Sequence, residues 1–210
     1  MPLARTYDTT RNAVITTMRD GYADRLSRWS DVQEYLPLLY GTAASYPRVR
    51  VLELGTRRGN STLAFLAAAA AVDGHVTSVD LDRVTDAPDG MLPWRKAPWW
   101  TFVRGDDMDG AVQAALPVEA DVLFVDTSHE YEHTLGELRA YMPRVVPGGT
   151  ALFHDANVFL NQDGTGISSL DPGSGERIPP VARALDEYCA ETGLSWENIP
   201  GEYGLGRIRL

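Results

Sequence analysis

The sequence predicts an α/β protein with a doubly wound, mostly parallel sheet of seven strands. Short apolar segments alternate with helical patterns from residue 49 to residue 153. A glycine turn joins the first apolar segment to an alanine-rich helical pattern. The chain ends in two short runs separated by Pro200-Gly201, which predict an antiparallel hairpin at one edge of the sheet.

The individual elements follow from the same periodicities. We predict strands at Val49–Leu54, His75–Asp80, Trp100–Arg104, Asp121–Asp126, Val145–Phe153, Ser195–Ile199 and Tyr203–Arg209. We predict helices at Ser61–Ala71, Met108–Leu116, Glu130–Met142 and Pro180–Thr192. Two further helices are expected within Ala4–Tyr46, so that residues 1–48 form a helical cap and residues 49–210 form the main domain.

Composition narrows the classes of function. The 210 residues carry 19 Lys plus Arg against 29 Asp plus Glu, a formal net charge of −10. This charge argues against a nucleic acid or an anionic membrane as the main partner, but it does not identify a substrate. The lone Cys189 excludes an internal disulfide framework. No run approaches membrane-spanning length, so we expect a cytoplasmic protein. The oligomeric state stays open, a homo-oligomer included.

The turn after the first strand is the most specific local feature. Glu53 lies two residues before Gly55, and Gly59 follows with the spacing G-x-x-x-G. Dinucleotide-binding turns have the spacing G-x-G-x-x-G, and a carboxylate at this place would repel a pyrophosphate. A ligand with a cationic end would accept the acid. The turn therefore favours a cationic nucleoside over a dinucleotide.

Acidic residues fall at the ends of five predicted strands: Glu53, Asp80, Asp106, Asp126 and Asp155. The carboxyl ends of parallel strands meet at one edge, so these side chains are expected to line a single crevice. Their mutual repulsion requires compensation by a ligand or a cation. Asp80 follows Gly55 by 25 residues, a spacing that suits a carboxylate accepting both hydroxyls of a ribose.

A second informative segment runs from Asp121 to Tyr131. Thr127 and Glu130 have the spacing of a capping box, which predicts that a helix begins there. Asp126 would then be the last residue of its strand, and His129 would lie in the first turn of the helix. Because the positive end of a helix disfavours imidazolium, we expect a neutral His129 that can accept a proton near pH 7.

These motifs together resemble the Rossmann-like class I S-adenosylmethionine (SAM) methyltransferases. The segment around Glu53 resembles their motif I. Asp126 with His129, and His154 with Asp155, resemble the D-x-x-H and H-D motifs of metal-dependent small-molecule O-methyltransferases. That subset includes macrocin and rhamnosyl O-methyltransferases and relatives of cephalosporin-biosynthetic enzymes. The resemblance spans about residues 49–155 and implies transfer of a methyl group to a hydroxyl of a sugar or phenolic metabolite.

The resemblance also implies roles for single residues. Asp80 would hold the ribose, Asp106 or Asp107 would lie near the adenine, and His129 would take the hydroxyl proton. The ion, Mg²⁺ or Mn²⁺, would be held by Asp126 and Asp155, with His154 or Asn157 as a further ligand. The methionine end of the cofactor, with Asp126 beside it, would be shaped by Glu53, Gly55, Thr56, Gly59 and Ser61.

Three alternatives stay open at this stage. His129-Glu-Tyr-Glu-His133 matches the H-E-x-x-H signature of zinc metalloproteases, in which two histidines face one side of a helix. An NAD(P)-binding oxidoreductase would share the fold but not the acid before the turn. A SAM-binding protein without metal, with or without catalytic activity, would leave Asp126 and Asp155 as ordinary strand-end acids.

Two segments do not fit the sheet. Thr85–Trp100 carries three prolines and three tryptophans, and Ala156–Arg177 carries four glycines. Both follow the carboxyl end of a strand, which favours a role as substrate lids. Tryptophans that anchor a loop to the core, or a contact with a second subunit, would explain the first segment equally well.

Overall fold

The structure is a computed structural model that describes residues 3–82, 97–159, 169–170, 175 and 177–210, without the side chains of residues 3–13, 17 and 169–170. Most of the two predicted lid segments, including Trp94, lies outside these residues. No helix in the described part of the chain has the length and apolar character needed to cross a membrane.

The main sheet has seven strands and confirms the predicted fold class. Its members are β1 (Arg50–Leu54), β2 (His75–Asp80), β3 (Trp100–Arg104), β4 (Ala120–Val125), β5 (Val145–His154), β8 (Trp196–Ile199) and β9 (Leu205–Arg209), in the order β3-β2-β1-β4-β5-β9-β8. The first five are parallel, whereas β9 pairs antiparallel with both β5 and β8. β6 (Ser169–Leu170) and β7 (Arg177–Ile178) form a separate two-stranded ribbon.

Helices cover both faces of the sheet. They are α1 (Leu3–Leu26), α2 (Leu36–Ala44), α3 (Asn60–Val72), α4 (Gly110–Ala115), α5 (Tyr131–Tyr141) and α6 (Pro180–Thr192), with short 3₁₀ turns at Gln33–Tyr35 and Met142–Arg144. The central strands β1 and β4 are buried on both sides, which explains their near-continuous apolar sequences.

Each face of the sheet packs one hydrophobic core. On one face, Leu36 and Leu39 of α2 share a core with Phe65 of α3 and Phe124 of β4. The other face packs against α5 and α6. The run of alanines in α3 allows this helix to pack close to the sheet, because small side chains permit a short distance between a helix and the strands under it. The helix α2 belongs to the same core as α3. The division into residues 1–48 and 49–210 stays a prediction.

The connection between β4 and α5 differs from its prediction in a way that matters for the site. β4 ends at Val125, so Asp126 follows the strand instead of ending it. The helix begins at Tyr131, and Glu130 makes no side-chain capping bond. Instead of capping this helix, the Thr127 hydroxyl donates to Glu137 Oε1 at 2.7 Å. The predicted capping box is therefore wrong, because the Thr127 hydroxyl donates to the buried carboxylate of Glu137 within α5.

Candidate active site

A cleft of about 660 Å³ opens at the carboxyl ends of the parallel strands. This is the edge where ligands bind in doubly wound sheets. Its described lining is strongly acidic and includes Asp80, Asp82, Asp106, Asp107, Asp126 and Glu130, with Arg57 and His133 as the basic side chains. The expectation that strand-end acids gather in one crevice is correct for Asp80, Asp106 and Asp126.

The glycine turn forms one wall of the cleft. Gly55 has φ +84°, and a Cβ there would lie 1.9 Å from the carbonyl oxygen of Asp126. Only glycine permits this close approach of two backbones. Gly59, also in the left-handed region, is the residue before α3. The turn thus places Gly55 and Arg57 on the wall of the cleft, next to the start of α3.

Asp80 holds this turn in place. Its Oδ2 accepts hydrogen bonds from the Thr56 N–H at 2.8 Å, the Thr56 hydroxyl at 2.9 Å and the Arg57 N–H at 2.9 Å. Its Oδ1 accepts one bond, from the Asp82 N–H. In the ligand-free protein the carboxylate therefore organises the glycine turn, and Oδ1 retains capacity for a hydroxyl from the cleft that it lines.

Glu53 does not face the cleft. Its side chain is fully buried, and its oxygens accept from the hydroxyls of Ser61 at 2.7 Å, Thr62 at 2.8 Å and Ser78 at 2.6 Å. Burial raises the pKa of Glu53 to about 7, against these hydrogen bonds. Neither Glu53 nor Ser61 is among the residues that line the cleft, and the cofactor role expected for them stays a prediction. Both residues tie the start of α3 to β1 and β2.

Asp106 and Asp107 have different surroundings. Asp106 is exposed, lines the cleft and accepts from the Met108 N–H at 2.8 Å. Asp107 is buried, and its backbone carbonyl accepts from the Tyr141 hydroxyl and from Gln113. Both carboxylates reach the cleft, so the structure keeps both as candidates for the adenine end of a nucleoside.

Four side chains form what we call the catalytic cluster: Asp126, His129, His154 and Asp155. His129 Nε2 lies 2.7 Å from Asp155 Oδ2 and 3.2 Å from Asp126 Oδ1. His154 Nδ1 lies 3.0 Å from the same oxygen of Asp155 and 3.5 Å from that of Asp126. All four are buried, but Asp126 also lines the cleft. The predicted catalytic and metal-binding residues therefore meet at the ends of β4 and β5.

Backbone strain accompanies this cluster. His129 has φ +60° and Asp155 has φ +63°, a left-handed conformation that is uncommon for residues other than glycine. Such strain is held by the surrounding structure and concentrates at functional sites. It also moves the imidazole off the helix end, so that His129 precedes α5 and turns toward the two carboxylates.

The charges of the catalytic cluster are balanced within it. Burial alone would lower the pKa of His129, but the hydrogen bonds and charges of Asp126 and Asp155 outweigh burial and raise it to about 9. The pKa of His154 is raised for the same reason, and those of both carboxyl groups are lowered. The predicted neutral His129 is therefore wrong for the protein without an ion, because two carboxylates rather than a helix end determine its charge.

Comparison with known proteins identifies the family of this chain. A family model described as a methyltransferase domain matches residues 52–156, which is half of the chain and extends from β1 to the turn after β5. The chain belongs to this methyltransferase-domain family. The enzyme class predicted from the motifs is thereby confirmed. No curated protein matches the sequence.

Solved structures share the fold of this methyltransferase. The methyltransferase PaMTH1 of Podospora anserina, bound to S-adenosylhomocysteine (SAH), is 16% identical, with a TM-score of 0.60 over 98% of this chain and 95% of that one. An O-methyltransferase from Bacillus cereus in complex with SAH is 14% identical, with a TM-score of 0.61 over 96% and 91%. MycE of the mycinamycin biosynthetic pathway, in complex with Mg and SAH, is 16% identical, with a TM-score of 0.61 over 90% and 54%.

The methyltransferase has a second histidine–carboxylate group, which we call the α5 cluster: Asp107, His133 and Glu137. His133 Nε2 lies 3.3 Å from Asp107 Oδ1 and 3.4 Å from Glu137 Oε1. The two carboxylates, Asp107 above all, raise the pKa of His133 to about 10. Burial raises the pKa of Glu137 to about 7. No local sequence pattern indicates this group, since its members come from a loop and a helix far apart in the chain.

The H-E-x-x-H interpretation is wrong. His129 precedes α5 with a left-handed backbone, whereas His133 lies within the helix. The two imidazoles contact different carboxylates, those of Asp126 and Asp155 in one case and those of Asp107 and Glu137 in the other. They do not form the shared face that a zinc protease requires.

Two tyrosines that the sequence did not mark hold His154. Tyr35 contacts the imidazole edge-on, with 5.6 Å between ring centroids, and Tyr203 stacks on it at 5.9 Å. Tyr35 precedes α2, and Tyr203 lies between β8 and β9. They fix the imidazole plane with Nδ1 toward Asp126 and Asp155.

Proposed function

We propose that the protein is a SAM-dependent O-methyltransferase that acts on a hydroxyl of a small molecule, assisted by a divalent cation. One observation carries the proposal: Asp126 belongs both to the wall of the acidic cleft and to the catalytic cluster. A methyl donor in the cleft and an acceptor hydroxyl at the cluster would thus meet at this residue. The SAH-bound relatives of the same fold support the choice of donor.

The cleft suits a cationic nucleoside. The acidic lining would attract the ammonium and sulfonium groups of SAM. It would repel the negatively charged pyrophosphate of a dinucleotide. Asp80 Oδ1 is placed to accept from a ribose hydroxyl, while Oδ2 keeps the glycine turn in shape. Asp106 and Asp107 would lie toward the adenine. This arrangement speaks against an NAD(P)-binding oxidoreductase.

The catalytic cluster fits a cation. Ligand atoms of Asp126, His154 and Asp155 all lie within 4.8 Å of one another. Two carboxylates favour Mg²⁺, whereas an imidazole ligand favours Mn²⁺ or a neighbouring ion. A divalent cation bound there would supply Lewis acidity to the acceptor oxygen and would lower the pKa of the adjacent imidazole. The relative described with Mg supports this assignment.

The reaction is an in-line displacement in which the acceptor oxygen forms a bond to the methyl carbon. The carbon–sulfur bond breaks with its electron pair remaining on sulfur, which yields SAH. Once His129 Nε2 has given up the proton that Asp126 and Asp155 hold on it, this nitrogen can take the hydroxyl proton, and of the two imidazoles in the cluster it lies nearer to Asp126 on the cleft wall. Asp126 and Asp155 orient His129, and the buried site keeps competing water away.

The acceptor proposed is a sugar or phenolic hydroxyl of a secondary metabolite, in a cytoplasmic enzyme. The similarity to MycE, a methyltransferase from the mycinamycin biosynthetic pathway, supports this choice of class. The acceptor would enter beside Asp126, Thr127 and Ser128, which line the cleft.

The test combines donor binding with transfer. Calorimetric titration with SAH is expected to give one saturable site per chain. Incubation with SAM labelled in its methyl group, Mg²⁺ and a panel of phenols and glycosides is expected to yield a labelled methyl ether. Transfer that survives exhaustive chelation would support the metal-free alternative. Absence of SAH binding would contradict the proposal itself.

A further inference from the structure

The α5 cluster takes no part in the proposed methyl and proton transfer, although Asp107 also borders the expected adenine end of the cleft, and its polar atoms are poorly satisfied. Among the described residues, Asp107 Oδ2, His133 Nε2 and Glu137 Oε2 are buried without a hydrogen-bond partner. Glu137 is fully buried and Asp107 nearly so. A buried polar atom without a hydrogen-bond partner destabilises a fold. Three of them within one small group point to a missing ligand.

The contacts within the cluster are too long to be hydrogen bonds that would satisfy these atoms. Imidazole Nε2 to carboxylate separations are 3.3 Å and 3.4 Å, whereas charge-assisted hydrogen bonds of this type measure about 2.7–2.9 Å. The catalytic cluster does reach such lengths, with 2.7 Å from His129 to Asp155. In a tetrahedral site whose ligands lie about 2.0–2.1 Å from the ion, neighbouring ligand atoms are about 3.3 Å apart, which is close to these separations.

We propose that Asp107, His133 and Glu137 form a second divalent-cation site, of the zinc class. Their ligand atoms lie within 4.8 Å of one another, as three ligands of one ion must. One imidazole with two carboxylates suits Zn²⁺ or Co²⁺ better than Mg²⁺ or Ca²⁺, which prefer oxygen alone.

The surroundings of the cluster complete such a site. The Thr127 hydroxyl donates to Glu137 Oε1 at 2.7 Å and holds this carboxylate in place, as the outer partners of metal ligands do. Asp107 and His133 line the cleft while Glu137 lies behind them. Solvent from the cleft can therefore supply the fourth ligand, and the ion can enter by the same way.

The test separates this site from the one at the catalytic cluster. Full-length protein stripped with a chelator is titrated with Co²⁺, followed by its visible absorption, and with Zn²⁺ by equilibrium dialysis. Asp155→Asn removes an acidic ligand of the catalytic cluster, and Glu137→Gln removes one of the α5 cluster. Glu132→Gln changes an exposed acid of the same helix and is the matched control.

Asp155→Asn is expected to retain one Zn²⁺ per chain, and combining it with Glu137→Gln should weaken that binding at least about 100-fold. Addition of Glu132→Gln should leave it unchanged. His133→Gln, at a half-buried position, repeats the test if Glu137→Gln does not fold. Asp155→Asn protein without a bound ion, or an ion that survives both α5 substitutions, would overturn the proposal. Because no methyl transfer is measured, the proposed function can fail while this site stands.

Discussion

The catalytic cluster and the α5 cluster border the same cleft but balance their charges differently. In the catalytic cluster, two imidazoles face two carboxylates, and the shortest contact of each imidazole measures 2.7 Å and 3.0 Å. In the α5 cluster, a single imidazole faces two carboxylates at 3.3 Å and 3.4 Å. In both clusters the carboxylates hold a proton on an imidazole, since the pKa of His129 is raised to about 9 and that of His133 to about 10. A cation that binds an imidazole nitrogen must therefore displace a proton in either cluster, but only in the α5 cluster do the carboxylates outnumber the imidazoles.

The largest expected effect of a substitution lies in the catalytic cluster. His129→Ala should lower turnover by roughly 10²–10⁴, because the hydroxyl proton then has no acceptor beside Asp126. Affinity for SAH, measured by calorimetry, should stay nearly unchanged since His129 does not line the cleft. Glu132→Gln serves as the control. Undiminished turnover in the variant would remove His129 from the mechanism.

The pH dependence of cation binding sharpens the comparison. His129 has a pKa raised to about 9 by its hydrogen bonds to Asp126 and Asp155, so an ion that binds these carboxylates must expel a proton below that pH. The pKa of His154, which also belongs to the proposed ligand set, is raised as well. In Glu137→Gln protein, affinity for Mn²⁺ should therefore rise between pH 7 and pH 9, by up to about 100-fold for each proton displaced. Equilibrium dialysis at several pH values measures this rise. A flat profile would mean that the ion does not displace the proton.

Glu53 offers a third setting for a buried carboxylate, in which hydroxyl groups alone donate hydrogen bonds to it. Its pKa is raised from 4.5 to about 7 by burial, so the folded state favours the protonated form. That stabilisation is complete below pH 4.5 and is lost as the pH rises through 7. The free energy of unfolding should fall by about 3 kcal/mol more in the wild type than in Glu53→Gln over this range. Denaturant unfolding measures the difference, and parallel pH profiles would contradict the assignment.

The smallest effect is expected at the ribose. Asp80→Ala should weaken SAH binding about tenfold, because it removes one acceptor and loosens the glycine turn that Asp80 Oδ2 holds. Asp82→Ala, at an exposed position on the same cleft wall, is the matched control. Calorimetry that gives equal affinities for the Asp80→Ala variant and the wild type would refute the role of Asp80.

The fold and the meeting of Asp126, His154 and Asp155 could be predicted because both depend on local pattern. Period-2 and period-3.6 apolar residues define the elements, and parallel strands bring their carboxyl ends together. The charge of His129 could not be predicted in this way. It depends on Asp155, which arrives from the next strand, and on a left-handed backbone that replaces the expected first helical turn.

Two other features could not be predicted, because they too depend on contacts between distant parts of the chain. The acid of the glycine motif was expected to face a ligand, but Ser61, Thr62 and Ser78 enclose Glu53. Only the packing of α3 on β1 and β2 decides between these outcomes. The α5 cluster joins Asp107 to a helix 26 residues later in the sequence, and no local periodicity indicates that contact.

The central claim is that one acidic cleft binds the methyl donor beside the catalytic cluster. The most direct test is a crystal structure of the protein with SAH and Mn²⁺, with the ion located by anomalous scattering. We predict a ribose at Asp80, the sulfur directed toward His129 and an anomalous peak between Asp126 and Asp155. A nucleoside bound elsewhere, or a cleft that stays free of SAH at saturating concentration, would contradict the account.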